Sequence, residues 1–511
     1  MTNQRALDGA AGAAVAGLAL GVSELLAGLV SPFPSLIEGL GNWVIDSAPT
    51  PLKDFAIRVF GTADKLVLLI GIAAVTLALG GLVGRYARRR FGIAVAVFVG
   101  FAVVAATAAA RDPQLPVGLT IIPAGASALT GLFALNRLTS SEPAAVDKEE
   151  PVDPGRRIAL FGVGAVIGLA ALSAGVGRAL VERAKRTISG RSEVVLPGPA
   201  EALPPVPPTA EFSVPGLVPI IVPNSDFYRI DTAFAVPRVD LQSWTLTVKG
   251  RVDRSYSIDY YDLLDLRMVE RDITLSCVSN QVGGDLVGNA RWLGVPLREI
   301  LDRAGVRADA EQIVGRSVDG FTVGFPVEAA YDGRDALVAL GMNGEPLPFE
   351  HGFPARLVVA GLYGYVSATK WLAEIELTGW DEFDAYWVPR GWAKEAPIKT
   401  QSRIDTPRGA SRLSPGPVQV AGVAWAPNRG ISRVEVRLGE DAPWIEAEPS
   451  EPLSKNAWVQ WRVDWDAIPG RHLLSVRATD GDGVLQDQER RPPAPDGATG
   501  WHTIQVFVGE A

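Results

Sequence analysis

Five runs in the first 182 residues, at 10–30, 66–83, 91–110, 117–135 and 158–181, are long and apolar enough to cross a hydrocarbon core of about 30 Å. No other feature narrows the fold as much, because a helix that is apolar on every side must be surrounded by apolar groups. Buried helices of a large soluble protein are the alternative, but they seldom recur five times at this length with so few charges. Glu24, in the first run, is either a functional intramembrane carboxylate or a residue facing a neighbouring helix. Arg85, Arg88, Arg89 and Arg90 separate the second and third runs, whereas only Arg111 separates the third and fourth. The positive-inside rule therefore puts the arginine turn in the cytoplasm, the amino terminus inside and everything after the fifth run outside. Arg178, Arg183, Lys185, Arg186 and Arg191 run against that assignment. Arg156 and Arg157, directly before Ile158-Ala159-Leu160-Phe161, have the pattern of a twin-arginine export signal. Paired basic residues also flank membrane helices for purely topological reasons.

With 511 residues the chain is too long for one core. Beyond residue 226, tryptophans, charges and period-2 alternation replace the apolar runs. Between the two regimes, 196–223 carries nine prolines and reads as a semi-extended stalk, at about 3.1 Å per residue where it is polyproline-like. A net charge of -9 argues against a nucleic-acid partner, which needs a dense basic face. The single cysteine, Cys277, excludes an internal disulfide framework, a four-cysteine zinc site and a cysteine-held iron-sulfur cluster. All three histidines, His351, His472 and His502, follow the apolar runs, so the membrane part cannot hold a bis-histidine haem.

The soluble part alternates as mixed α and β. Residues 244–248 read as a strand, 257–266 as a short helix and 271–277 as a strand running into the polar, glycine-containing loop 278–284. Cys277 thus stands at a strand end that opens onto a loop, where scaffolds present reactive groups; a lone cysteine is otherwise most often a buried structural one. Met342-Asn343-Gly344-Glu345 reads as a hairpin turn. Strands at 418–425, 434–438, 458–465, 473–478 and 503–508, separated by glycine and proline turns, read as an immunoglobulin-like β-sandwich.

Residues 274–297, TLSCVSNQVGGDLVGNARWLGVPL, and 342–372, MNGEPLPFEHGFPARLVVAGLYGYVSATKWL, resemble the sulfite oxidase family of molybdopterin-dependent oxidoreductases, in a bacterial, membrane-anchored form. Hydropathy and composition give a five-helix all-α transmembrane part (1–182) and a proline-rich linker (183–225), which make the chain multi-domain; the resemblance covers 211–511, leaves the five-helix part outside the family core, and implies an α+β molybdopterin domain (226–400) and a sandwich of the dimerisation type (405–511). It implies Cys277 as the thiolate ligand of a molybdenum held by a pyranopterin dithiolene, with His351, Arg356 and Lys370 on the pterin and its phosphate. Tyr228 and Asn280 join the cofactor-binding set. Arg229, in Asp226-Phe227-Tyr228-Arg229, takes the position that meets an anionic substrate, unless it pairs with Asp231. Arg291 touches cofactor or supports the fold. Trp392 falls where sulfite oxidases carry a tyrosine beside the metal, which puts sulfite itself in doubt. The implied activity is two-electron oxygen-atom transfer on a small oxygen-atom donor or acceptor outside the bacterial cytoplasmic membrane. Electrons would pass to a separate carrier, a cytochrome or quinone-linked protein, and 405–511 would form a homodimer. The alternatives are a sulfoxide-type reductase on the same scaffold and a non-catalytic membrane scaffold or sensor.

Overall fold

The structure, a computed structural model, describes residues 2–30, 34–49, 52, 55, 59–60, 64–111, 117–140, 154–188, 190–233, 236–237 and 239–509. It divides into two compact units, 1–189 with 233–238, and 190–232 with 239–511.

The first unit contains the helices α1 (Thr2–Leu29), α2 (Leu36–Ser47), α3 (Asp64–Ala87), α4 (Phe91–Ala109), α5 (Val117–Ser140) and α6 (Pro154–Ile188). All but α2 are long and apolar enough to cross a membrane. Helix α1 is the central one, packed against α3, α5 and α6. Glycines let these backbones touch: a Cβ on Gly12 would lie 2.2 Å from the Gly80 carbonyl oxygen, and one on Gly28 2.5 Å from that of Gly177. Helix α2 is an addition to the expected set. At twelve residues it is too short to span, but Ser35 caps it by accepting a hydrogen bond from the Glu38 N–H at 3.2 Å. Ser35 also donates to Glu24 at 2.6 Å, so Glu24 does face a neighbouring segment. Arg178 pairs with Glu38 at 2.5 Å. The side chains of Arg156 and Arg157 lie outside the described residues.

The second unit holds four sheets. Its strands begin with β1 (Thr245–Gly250), β2 (Tyr256–Asp259), β3 (Val269–Ser276), β4 (Val287–Pro296), β5 (Gln312–Ser317), β6 (Thr322–Pro326), β7 (Ala336–Met342), β8 (Glu345–Pro346), β9 (Arg356–Val359) and β10 (Leu372–Thr378). One sheet has the order β2-β1-β10-β5-β6; the other runs β3-β4-β7-β8 with β9 also paired to β7. The turn between β7 and β8 is the expected one, with Asn343 (φ 52°) and Gly344 (φ 82°) both left-handed. The short helix expected over 257–266 is instead a strand followed by one helical turn, Tyr260–Leu264, started by Asp259, whose carboxylate takes the Asp262 N–H at 2.8 Å. Tyr256 to Ile258 is drawn into β2 by pairing with β1.

Two further sheets, containing strands Gly416–Trp425 with Val459–Ala467 and Ile431–Leu438, Gly470–Asp480 with His502–Val508, share one apolar core built around Trp461, Trp465, Val434 and Val476. They belong to the same compact unit as the sheets before them. The proline-rich segment is not a free stalk. Ala210, Ile220 and Val222 are buried, the Val222 N–H donates to Asn289 O at 2.9 Å, and Trp458 Nε1 donates to Ile220 O at 2.8 Å. Its apolar residues fill the seam between the two pairs of sheets, while its backbone stays extended where Pro207 has φ -69° and ψ 145°.

Candidate active site

Strand β3 ends at Ser276, and the next residue, Cys277, is buried at the wall of a cleft with about 130 Å³ of free volume. The loop that follows is tightly built. The Cys277 N–H donates to Leu286 O at 2.9 Å, the Asn280 N–H donates to Cys277 O at 3.1 Å, and the Asn280 side-chain oxygen accepts from the Leu286 N–H at 3.0 Å. Asn280 thus shapes the cysteine loop, and its carboxamide oxygen is committed to that task. Burial pushes the Cys277 thiol up from its ordinary value, against hydrogen bonds from Ser279 and the charge of Lys370. A protonated thiol of this kind gives up its proton when a soft metal binds.

Two buried cations share the cleft. Arg356, at the start of β9, is 4% exposed and lies over the Trp292 ring at 5.0 Å. Its Nη1 donates to His351 O at 3.1 Å, and among the described residues no carboxylate lies within 4.0 Å of it. Burial pushes its guanidinium down to about 10. Lys370 donates to Asp231 at 3.2 Å and is likewise pushed down to about 8 by burial, with Asp231 opposing. A buried cation without an anion is costly, so Arg356 marks a place for one.

His351 lies on a short turn behind Phe227, its ring centroid 5.5 Å away. Its Nε2 faces Asn224 O at 2.9 Å, while Nδ1 is buried with no hydrogen-bond partner. Burial, then Arg356 and Lys370, push it down to about 4, so the ring is neutral at neutral pH. A phosphate-bearing pterin fits this set: one uncompensated guanidinium, one ammonium, and a polar atom left open in a site where buried groups are normally satisfied.

Tyr228 lines the cleft, and its phenol is raised by burial and by the nearby Cys277. Arg229 is exposed and bound to Asp231 at 2.8 Å; the pairing with that acid is what the structure contains. Arg291 grips the buried Asp272 with Nε and Nη2, both at 2.9 Å, and donates to Pro204 O at 2.9 Å. It supports the fold. Trp392 does stand in the cleft wall, 5.8 Å from the Tyr365 ring.

Sequence reasoning missed Asp231 and Asp319 as cleft residues. Asp319 lines the cleft with its carboxyl pushed up by burial and by Asp231, against a Ser317 hydrogen bond. Its only sequence signal, the Asp319-Gly320 pair, reads as a turn.

Residues 233–387 match the domain described as "Oxidoreductase molybdopterin binding domain", a span that includes Cys277, His351, Arg356 and Lys370. Mitochondrial sulfite oxidase of Homo sapiens is 27% identical over 339 residues, covering 56% of this chain and 62% of that protein. Sulfite oxidase of Arabidopsis thaliana is 28% identical over 353 residues, covering 57% and 89%, and NAD(P)H nitrate reductase of Hordeum vulgare 27% over 310, covering 48% and 34%. Among solved structures, sulfane dehydrogenase SoxCD from Paracoccus pantotrophus is 24% identical, with a TM-score of 0.49 over 57% of this chain and 84% of that one. The chain spans about half to three fifths of the length of the mammalian sulfite oxidases it matches. Domain and site together define a molybdopterin-binding oxidoreductase. The chain is similar to the sulfite oxidases over the part that carries this domain, and the cofactor of that class is molybdenum held by molybdopterin.

Proposed function

We propose that this is a membrane-anchored molybdenum enzyme that moves an oxygen atom, with two electrons, to or from a small substrate on the outer face of a bacterial cytoplasmic membrane. The observation that carries the reading is Cys277, the chain's one thiol, at a strand end in a cleft that also contains buried Arg356 and Lys370. When bound, the molybdenum cofactor supplies the oxygen-atom transfer chemistry. The chain's own residues hold and shape it. Cys277 would release its proton and offer sulfur, Arg356 and Lys370 would complement phosphate, and neutral His351, its Nε2–H given to Asn224 O, would accept a hydrogen bond through Nδ1. Asp231 fixes Lys370, and Tyr228 with the aromatic wall keeps water out. Asp319, its carboxyl raised by burial, can hold a proton at the cleft.

The five apolar helices serve as the anchor and the arginine pair at 156–157 as an export signal, which suits a domain that folds around its cofactor before crossing. The paired carboxy-terminal sheets are an immunoglobulin-like module of the dimerising type. Electrons leave or arrive through a separate carrier, a cytochrome or a quinone-linked protein.

Within this reading the cleft favours a neutral, apolar substrate such as a sulfoxide over a small dianion. Arg229 is engaged by Asp231, two carboxyl groups line the cleft, and Phe321, Tyr365, Trp387 and Trp392 form much of its wall. An anion would have to break the Arg229–Asp231 pair to be met. Full-length protein purified from a host that makes molybdopterin is expected to contain molybdenum and pterin at one per chain. It should reduce sulfoxides faster than it oxidises sulfite, and Cys277→Ser should abolish turnover. Active protein free of molybdenum, or a fully active serine variant, overturns the proposal; metal-free and inactive protein favours the scaffold alternative.

A further inference from the structure

The helical unit contains a partly open pocket of its own, with about 100 Å³ of free volume. Five helices contribute to its wall, which is apolar apart from three hydroxyls. Thr76 on α3 is satisfied, donating to Ile72 O at 2.8 Å. Elsewhere in the unit Thr130 and Thr139 make the same bond to the preceding turn, each at 2.8 Å. Ser23 on α1 and Ser127 on α5 do not. Both line the cavity, are 2% and 7% exposed, and their hydroxyls have no hydrogen-bond partner. The back-bond to the helix is available to any helical serine, so two open donors in one apolar cavity are matched by acceptors that come from outside the chain.

We infer that this cavity binds the ring of an isoprenoid quinone. The ring is flat and apolar, its edge oxygens accept from the two serines, and its hydrocarbon tail suits an apolar surround. A lipid tail alone would fill the space and leave both hydroxyls unpaired. Residues 1–182 contain no histidine or cysteine, so a haem carrier held there by such ligands is excluded. The inference rests on the proposed oxidoreductase function, which needs an electron carrier, and a quinone is one that takes electrons in pairs.

Full-length protein in phosphatidylcholine nanodiscs, photolabelled with an azido derivative of a decyl-substituted benzoquinone and mapped by mass spectrometry, tests it. Label is expected on the segments of α1 and α5 around Ser23 and Ser127, and the parent quinone should compete it away. Ser23→Ala and Ser127→Ala should each weaken that competition about threefold to tenfold without changing thermal unfolding. Label spread over the helix surfaces, equal competition by a decyl chain lacking carbonyls, or indifference to the double alanine variant overturns the inference. Molybdenum content, measured on the same samples, separates the two claims. Metal without quinone binding contradicts only this site, and quinone binding without metal contradicts only the oxidoreductase reading.

Discussion

Arg356 is the residue whose state says most about the cleft, because a guanidinium 4% exposed, with no carboxylate within 4.0 Å among the described residues, is costly to bury without an anion. Replacing it with methionine keeps the bulk over Trp292 and removes the charge. Pterin retention through gel filtration should weaken by about tenfold to a hundredfold, the worth of one charge-assisted hydrogen bond; unchanged retention would remove Arg356 from the phosphate site. His351 and His502 carry a second, independent signature. Both are pushed down to about 4 chiefly by burial, whereas in the unfolded chain they protonate near pH 6.5. Their contribution is therefore complete above about pH 6.5 and is lost as the pH falls toward 4. The denaturant midpoint of the full-length protein, followed by tryptophan fluorescence, should be lower at pH 5.5 than at pH 7. In His502→Asn, where the carboxamide can still accept from the Ile404 N–H that His502 Nδ1 takes at 3.0 Å, the drop should shrink. A midpoint that is flat over that range contradicts both assignments.

Strand β3 is the element that places the thiol, and the sandwich clamps it. The Thr274 N–H donates to Asn456 O at 2.9 Å, its hydroxyl accepts from the Trp458 N–H at 2.8 Å, and Ser454 Oγ donates to Asp272 O at 2.8 Å. Arg403 reaches Gly284 O in the cysteine loop at 2.8 Å. From the other side, Arg291 on β4 holds the Asp272 carboxylate. Arg291→Met leaves that carboxylate buried and unpaired, so it should cost about 3–5 kcal/mol of stability. Asp272→Asn with Arg291→Met should recover part of the loss, since it removes the stranded charge. A chemical denaturation series on the pair checks this, and a single variant as stable as wild type would make the ion pair ornamental. The elements legible in the sequence were those with strong local signals: the apolar helices, the alternation of 271–277 and the Asn343-Gly344 turn. Those missed were decided by partners distant in sequence. Tyr256 to Ile258 became a strand because β1 was there to pair with, and α2, interrupted by Gly39 and Gly41, depends on a cap residue that also binds Glu24.

For the whole molecule, the division into an apolar helical unit and a sheet-rich unit followed from composition alone, and Cys277, His351, Arg356 and Lys370 emerged as a set only through resemblance. The physical reason is that their common neighbourhood is built by strands up to 93 positions apart in the chain, so no local pattern links them. The carboxy-terminal sheets were legible as alternating strands, but their union with the preceding sheets was not, because the seam is filled by the proline-rich segment whose composition suggested solvent. Molybdenum K-edge X-ray absorption on full-length wild type and Cys277→Ser tests the central claim most directly. A thiolate from this chain requires that the serine variant, if it retains metal, lose one sulfur neighbour and gain one oxygen. Identical sulfur shells in the two proteins would contradict it.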